Sequence, residues 1–237
     1  MRVEPESCCC ESAEVPVQES PGEEGGREVI QIEKTSVMGW ETAIRGMRNP
    51  MNSWDKSDSC MSVEAVDEGY GWIGKNDLTL MMRLRNAGSD ERKFMRQIIV
   101  SMDITAPLYW WKEFDTYKVG TVANSCSTMH KIHAKEFTLD DFSHEHLIGE
   151  AMRELKHDIE RLNVYRDRFN ETKDKTWWWQ MIQRLPSSFN QMRTVTLNYE
   201  VLTNMYHARK AHKLDEWREF CKWIETLPYS SLITGEC

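Results

Sequence analysis

The apolar positions of this chain repeat with two periods, and each period marks a different kind of element. From Leu147 to Phe169, the residues Ile148, Met152, Leu155, Ile159, Leu162 and Phe169 recur at helical steps, with Arg166 interrupting the last turn. Lys175 to Leu185 forms a second helical stretch containing Trp177, Trp178 and Trp179, ended by Leu185-Pro186. Leu197 to Glu225 is a third: Leu197, Val201, Met205 and Ala208 share one face, and Trp217, Phe220, Cys221 and Ile224 resume it. Asn76 to Ala87 carries Leu78, Met81, Met82 and Leu84, with Asn76 or Asp77 to cap its start and Gly88 at its end. Trp40 to Met47 gives one or two further turns, stopped by Asn49-Pro50, and the polar run Asn52 to Asp58 is turn-rich. Strand character is confined to Val29–Glu33 and Gln97–Ile104, where β-branched residues cluster. Long helices with few strands, no strict strand-helix alternation and no internal repeat predict an α+β fold, a small β-sheet packed with several long helices.

Composition narrows this picture at the ends. The 237 residues are 40% hydrophobic, enough for a full core. Residues 1–28 hold eight Glu against Arg2 and Arg27, so about −6 of the net −8 charge sits there, with few large apolar side chains. Such a stretch buries too little surface to offset its ordering entropy, so it is expected to be a disordered acidic tail, leaving 29–237 as a single domain. No apolar run reaches the roughly 18 residues of a membrane span, and no charged-then-apolar leader opens the chain, which predicts a cytoplasmic protein. The seven Cys show no CxxC spacing, which argues against a zinc site or a disulfide framework; Cys8, Cys9 and Cys10 are exposed thiols or a soft-metal ligand set. Outside the tail the charge is near neutral, which argues against a surface for polymeric nucleic acid but leaves room for a small phosphate pocket.

Candidate chemistry concentrates in Ala106–Ile132, APLYWWKEFDTYKVGTVANSCSTMHKI, where large aromatics alternate with charged and hydroxyl residues. That composition suits a site wall, in which a few polar groups orient a ligand against apolar surface; it also suits a buried turn with polar caps. There is no Gly-x-Ser-x-Gly elbow, no phosphate-binding Gly-rich loop and no dinucleotide fingerprint; Gly69-Tyr70-Gly71 and Gly74 lack the Lys-Ser/Thr that would follow. His130, Lys131 and His133 form a small basic cluster, and His144 and His146 lie near Asp140 and Asp141 as caps or as an incomplete metal set. Arg209, among Tyr206, His207, Lys210 and His212, could fork onto a phosphate, or its stem could cover apolar surface while its head stays wet.

The segment ETAIRGMRNPMNSWDKSDS, the pair Leu185-Pro186 and the stretch LNYEVLTNMYHARKAHKLDEWREFCKWI together resemble the flavin-dependent thymidylate synthases, in a divergent form of the kind found in phage and prophage genomes. Asn198, Leu202 and Arg209 fit that family's carboxy-terminal helix, and Asp215-Glu216-Trp217-Arg218 stands near the run that follows it. Asn124 and Ser127 match the family's Asn-Glu-x-Ser signature, in which Ser125 replaces Glu and Met129 the final Arg. The Arg-His-Arg part falls at Thr116–Val119, with Lys118 as its cation, and Glu113 or Phe114 stands at the upstream Gln. The resemblance implies methylation of dUMP to dTMP with FAD, NADPH and methylene-tetrahydrofolate, in a homotetramer whose sites lie between subunits. It assigns Lys118, Asn124, Ser127 and Arg209 to the nucleotide, and Tyr117, His130 and Lys131 to the flavin. Two other readings stand beside it: a nucleotide-binding protein on the same fold without catalysis, and an interaction protein whose Trp177–Trp179 surface meets a partner.

Overall fold

The computed structural model describes residues 29–60 and 72–235. Four strands form one antiparallel sheet in the order β1-β2-β4-β3: β1 Gln31–Met38, β2 Ile99–Pro107, β3 Val122–Ser125 and β4 Asn190–Asn198. In β2 the alternation runs as far as Ala106: Val100, Met102, Ile104 and Ala106 are buried while Ile99, Ser101, Asp103 and Thr105 are half-exposed, so one sheet face carries the core. β2 pairs with β4 along its whole length, from Ile99 opposite Asn198 to Pro107 opposite Asn190. β1 lies on the other side of β2 and is interrupted between Glu33 and Ser36, where Lys34 adopts φ 52°.

Helices α1 (Trp40–Arg48), α2 (Lys75–Ala87), α3 (Leu108–Phe114), α6 (Tyr199–Arg209), α7 (Asp215–Glu225) and α8 (Ser231–Thr234) belong to the same apolar cluster as the sheet. The turn from β1 into α1 requires glycine: Gly39 has φ 95°, and a Cβ there would lie 2.0 Å from the Gln97 carbonyl oxygen. Trp40, the first residue of α1, then packs edge-on against Tyr199 and Tyr229, 5.3 Å from each. Arg48 ends α1 inside the protein. Its Nε donates to Asp77 at 2.6 Å, and its other nitrogens donate to the carbonyls of Ser53 and Lys56. Burial acts to raise the Asp77 pKa, but hydrogen bonds from Ser57, Ser59 and Arg48 and the Arg48 charge outweigh it and hold the carboxyl below its ordinary value.

A second apolar cluster lies under the hairpin of α4 (Gly149–Thr172) and α5 (Lys175–Arg184). Leu155, Ile159, Leu162 and Met181 meet Ile132, Phe137 and Phe142 from the preceding loop. The Trp run serves this hairpin. Trp177 stacks on Tyr165, Trp178 donates to the Met129 carbonyl at 2.9 Å, and Trp179 stays 43% exposed. No described helix is long and apolar enough to cross a membrane.

The expected α+β class holds; α1, α2 and α5 fall within one residue of their expected bounds, and β2 runs three residues past its expected end. Other expectations change. β3, β4, α3 and α8 were not foreseen, the strand expected at Val29–Glu33 lies at Gln31–Met38, and the helix expected from Leu197 to Glu225 is two helices after a strand. Leu197 and Asn198 remain paired with Val100 and Ile99, and the Asn198 side chain accepts the Val201 N–H at 3.1 Å, capping α6. α6 stops at Arg209 because the next turn is held by side chains: Arg218 donates to the carbonyls of His212 and Lys213, and the Leu214 N–H donates to His212 Nδ1.

Candidate functional site

The window Ala106–Ile132 divides at Phe114. In α3, Trp110, Trp111 and Phe114 are at most 1% exposed and interlock with Trp217 of α7, the Trp110 and Trp217 rings 4.8 Å apart. This wedge fixes the face of α3 from which Glu113 projects. Glu113 Oε2 accepts from Arg209 Nη1 at 2.7 Å and from Trp217 Nε1 at 3.0 Å, and His212 Nε2 lies 3.5 Å away. Arg209 Nε donates to the Tyr117 hydroxyl at 2.9 Å, and its guanidinium lies over the Trp217 ring at 4.8 Å. Tyr117 and Arg209, far apart in sequence, thus meet at one point, held by Glu113.

Beyond Tyr117 the chain turns outward. Gly120 has φ 77°, and a Cβ there would stand 3.0 Å from Asn198 Nδ2 and 3.1 Å from a Val201 methyl, so glycine lets the turn press on the start of α6. Lys118 and Val119 project at its tip, both exposed. β3 follows as the sheet edge, with Asn124 opposite Thr194 and Ser125 opposite Arg193; all four of its residues are exposed.

The strand leads into a tight turn closed by Ser127. Its hydroxyl accepts the N–H groups of Met129 and His130 and hydrogen-bonds His130 Nδ1 at 2.8 Å. A cavity of 380 Å³ opens behind this turn, between the sheet edge and the α4–α5 cluster. Ser127, Cys126, Lys131 and Gln191 line its polar side, and Phe137 and Phe189 its apolar side. Lys135, also on the lining, pairs with Asp141 at 2.9 Å.

The seven residues singled out in the sequence therefore fall in three places. Tyr117 and Arg209 sit at the Glu113 junction. Ser127, His130 and Lys131 lie at the cavity mouth. Lys118 and Asn124 lie on the exposed arm between them. Arg193 of β4 links the two ends. Its guanidinium lies 4.2 Å over Trp111, Nη1 donates to Asp115 at 2.8 Å, and Nε donates to Gln191, whose Nε2 donates to the Cys126 carbonyl at 2.7 Å. Neither Arg193 nor Gln191 was marked by the sequence. Their one signal is the alternation in Gln191–Asn198, which would have placed an amide and a charged residue on the same strand face as Val195 and Leu197.

Lys118 and Lys131 form no ion pair among the described residues, and the Thr121 hydroxyl, beside the Lys118 turn, is buried without a hydrogen-bond partner. The other His residues serve structure: His144 Nδ1 meets the Phe142 carbonyl at 2.7 Å, His146 meets Asp215 at 3.1 Å, and the His133 ring packs on Phe169. Among the described residues, no group of three or more His, Cys, Asp and Glu is arranged to hold a metal. Cys8, Cys9, Cys10, Gly69 and Tyr70 lie outside the described residues.

The sequence matches no family model and no curated protein sequence. Solved structures do match. The flavin-dependent thymidylate synthase ThyX from Helicobacter pylori, complexed with FAD and dUMP, superposes over 86% of this chain and 98% of its own, at TM-score 0.64 and 14% identity. A second structure of that enzyme with FAD and dUMP gives the same TM-score over 87% of this chain. The UMP/dUMP methylase PolB from Streptomyces cacaoi, bound with 5-Br dUMP, matches over 88% of this chain and 96% of its own, at TM-score 0.57 and 13% identity. At this identity the likeness is one of architecture, and the chain has the fold of the flavin-dependent thymidylate synthases.

Proposed function

We propose that this protein binds a uridine-type monophosphate beside a flavin and methylates its pyrimidine ring, converting dUMP to dTMP. The observation that supports it most is the match of the whole described fold to two kinds of pyrimidine-nucleotide methylase structure, one of them holding FAD and dUMP. Lys118, Asn124, Ser127 and Arg209 are assigned to the nucleotide, and Tyr117, His130 and Lys131 to the flavin. When bound, reduced flavin would supply the hydride; methylene-tetrahydrofolate would supply the carbon and NADPH the reducing power. The chain's own share is electrostatic and positional. Lys118 and Lys131 neutralise phosphate, the Ser127 turn offers a hydroxyl at the cavity mouth, and Tyr117 holds Arg209 in line. The exposed β3 edge and its arm leave the site open on one side, which a second copy would close in a homotetramer.

A nucleotide-binding role without turnover is the second reading. One observation favours it: Thr116–Val119 contains no Arg, and a Lys supplies charge without the planar fork that fixes a phosphate in two directions. Titration of the purified full chain with FAD and, separately, with dUMP tests both. Flavin bound with a perturbed absorbance spectrum, plus saturable dUMP binding, supports the methylase. Binding of dUMP without flavin supports the second reading, and binding of neither leaves a shared fold with a different task.

A further inference from the structure

A groove of 760 Å³ runs between α1 with its following loop on one side and α2 on the other, away from the residues assigned above. On α2, Lys75 and Arg83 lie eight residues apart on one stripe, with Thr79 midway, so their Cα atoms are spaced by about 12 Å along the helix. Lys56 faces them from the opposite wall. Arg48 also reaches the groove, but its charge is matched by Asp77 and its nitrogens are bound to Asp77, Ser53 and Lys56. The lining includes no carboxylate.

The other three cations are different. Lys56, Lys75 and Arg83 form no ion pair among the described residues, whereas Arg92, Arg96, Arg184, Arg193, Arg209 and Arg218 all do. Three like charges around one concave surface outnumber the carboxylate beside them, Asp58, which accepts the Asn76 and Asp77 N–H groups at the start of α2, and a bound anion relieves the excess. The span from Lys75 to Arg83 is too long for one phosphate and suits a chain of them. The floor between the cations is apolar, with Met47, Leu80 and Leu84, a surface on which a flat base can lie.

We propose that this groove is a second ligand site, taking a nucleoside triphosphate whose phosphate chain lies along Lys75 and Arg83 with Lys56 opposite, and whose base rests on Met47, Leu80 and Leu84. It does not depend on the function proposed above, because none of the residues assigned to nucleotide or flavin lines it.

Calorimetric titration of the full chain with ATP, and in parallel with inorganic tripolyphosphate, tests this. ATP should bind saturably, one per chain, and more weakly as salt rises. Arg83→Glu and Lys75→Glu should each weaken it at least about tenfold, and Arg83→Gln by less, because removing a charge costs less than reversing it. Tripolyphosphate should bind about tenfold more weakly than ATP, since it lacks a base for the apolar floor. All three variants should melt like wild type and titrate FAD and dUMP unchanged, which separates failure here from failure of the methylase reading. Absence of saturable ATP binding overturns the proposal. So does Arg83→Glu binding ATP like wild type, and equal affinity for tripolyphosphate removes the nucleoside from it.

Discussion

Glu113 should act as a brake on nucleotide affinity, and releasing it should tighten binding. Its Oε2 lies 2.7 Å from Arg209 Nη1, so the one guanidinium at this junction already carries an anion. A phosphate on another edge of Arg209 would stand about 5 Å from that carboxylate, where two unit charges at an effective dielectric of 20 repel by about 3 kcal/mol. The Glu113 side chain is 36% exposed, so solvent screens this to about 1 kcal/mol, roughly fivefold in affinity. Gln at position 113 keeps an oxygen to accept from Arg209 and Trp217 while removing the charge. Glu113→Gln should therefore tighten dUMP binding about fivefold by isothermal calorimetry. Arg209→Ala should weaken it about ten- to a hundredfold, the loss of a charge-assisted contact in a partly buried pocket, and Arg209→Lys should recover part of that. If Arg209→Ala binds like wild type, Arg209 is a stem covering Trp217 and not a phosphate ligand. If Glu113→Gln weakens binding, Glu113 positions the ligand instead of competing with it.

Asp77→Asn should destabilise the fold by about 3–5 kcal/mol in urea titration, because it leaves the Arg48 charge buried and unmatched; the two side chains are 5% and 0% exposed. Because the folded Asp77 pKa lies below the ordinary 3.8, its contribution is complete well above that pH and is lost as acid carries the pH down through the folded value, so the Asn variant should lose relatively little further stability there. Sedimentation at micromolar concentration should give a mass near four times 27.9 kDa; a clean monomer would remove the shared-site reading. A thiol reagent should modify the exposed Cys60 and Cys126 in the native protein well before Cys221, whose thiol burial and the nearby Glu225 push up to about 12; equal rates at all three would contradict this.

How much the sequence disclosed depended on how locally each feature is encoded. α4 was legible because its stripe from Leu155 to Leu162 sits at helical spacing and buries against one cluster. β2 was legible from its β-branched run. β4 was hidden because its sequence, NQMRTVTLN, opens on polar residues, and its later apolar positions also fit the start of a helix. What makes it a strand is pairing with β2 and β3, a long-range fact that no window of the chain contains. The split between α6 and α7 was hidden for a related reason. Arg218 stabilises the turn at His212 and Lys213 from beyond it, while the apolar period runs on through Trp217.

The same contrast explains the site. Composition marked the polar residues of Ala106–Ile132 as one constellation, yet its first third, up to Phe114, packs into the core. Trp110, Trp111 and Phe114 are there because a short helix after Pro107 must bury a face against α7, and that burial leaves Glu113 free to reach Arg209. The spacing from Trp110 to Ser127 is therefore a property of the fold before it is one of any ligand. The spacing is set by the length of α3, the glycine turn at Gly120 and the start of β3, all of which the fold needs whether or not a ligand binds. One arginine stands beside the window without belonging to it: Arg193, on the strand that the sequence did not announce, tied to Asp115 and Gln191. Its placement between the Glu113 junction and the cavity at Ser127 makes β4 the element through which the two halves of the candidate site are aligned.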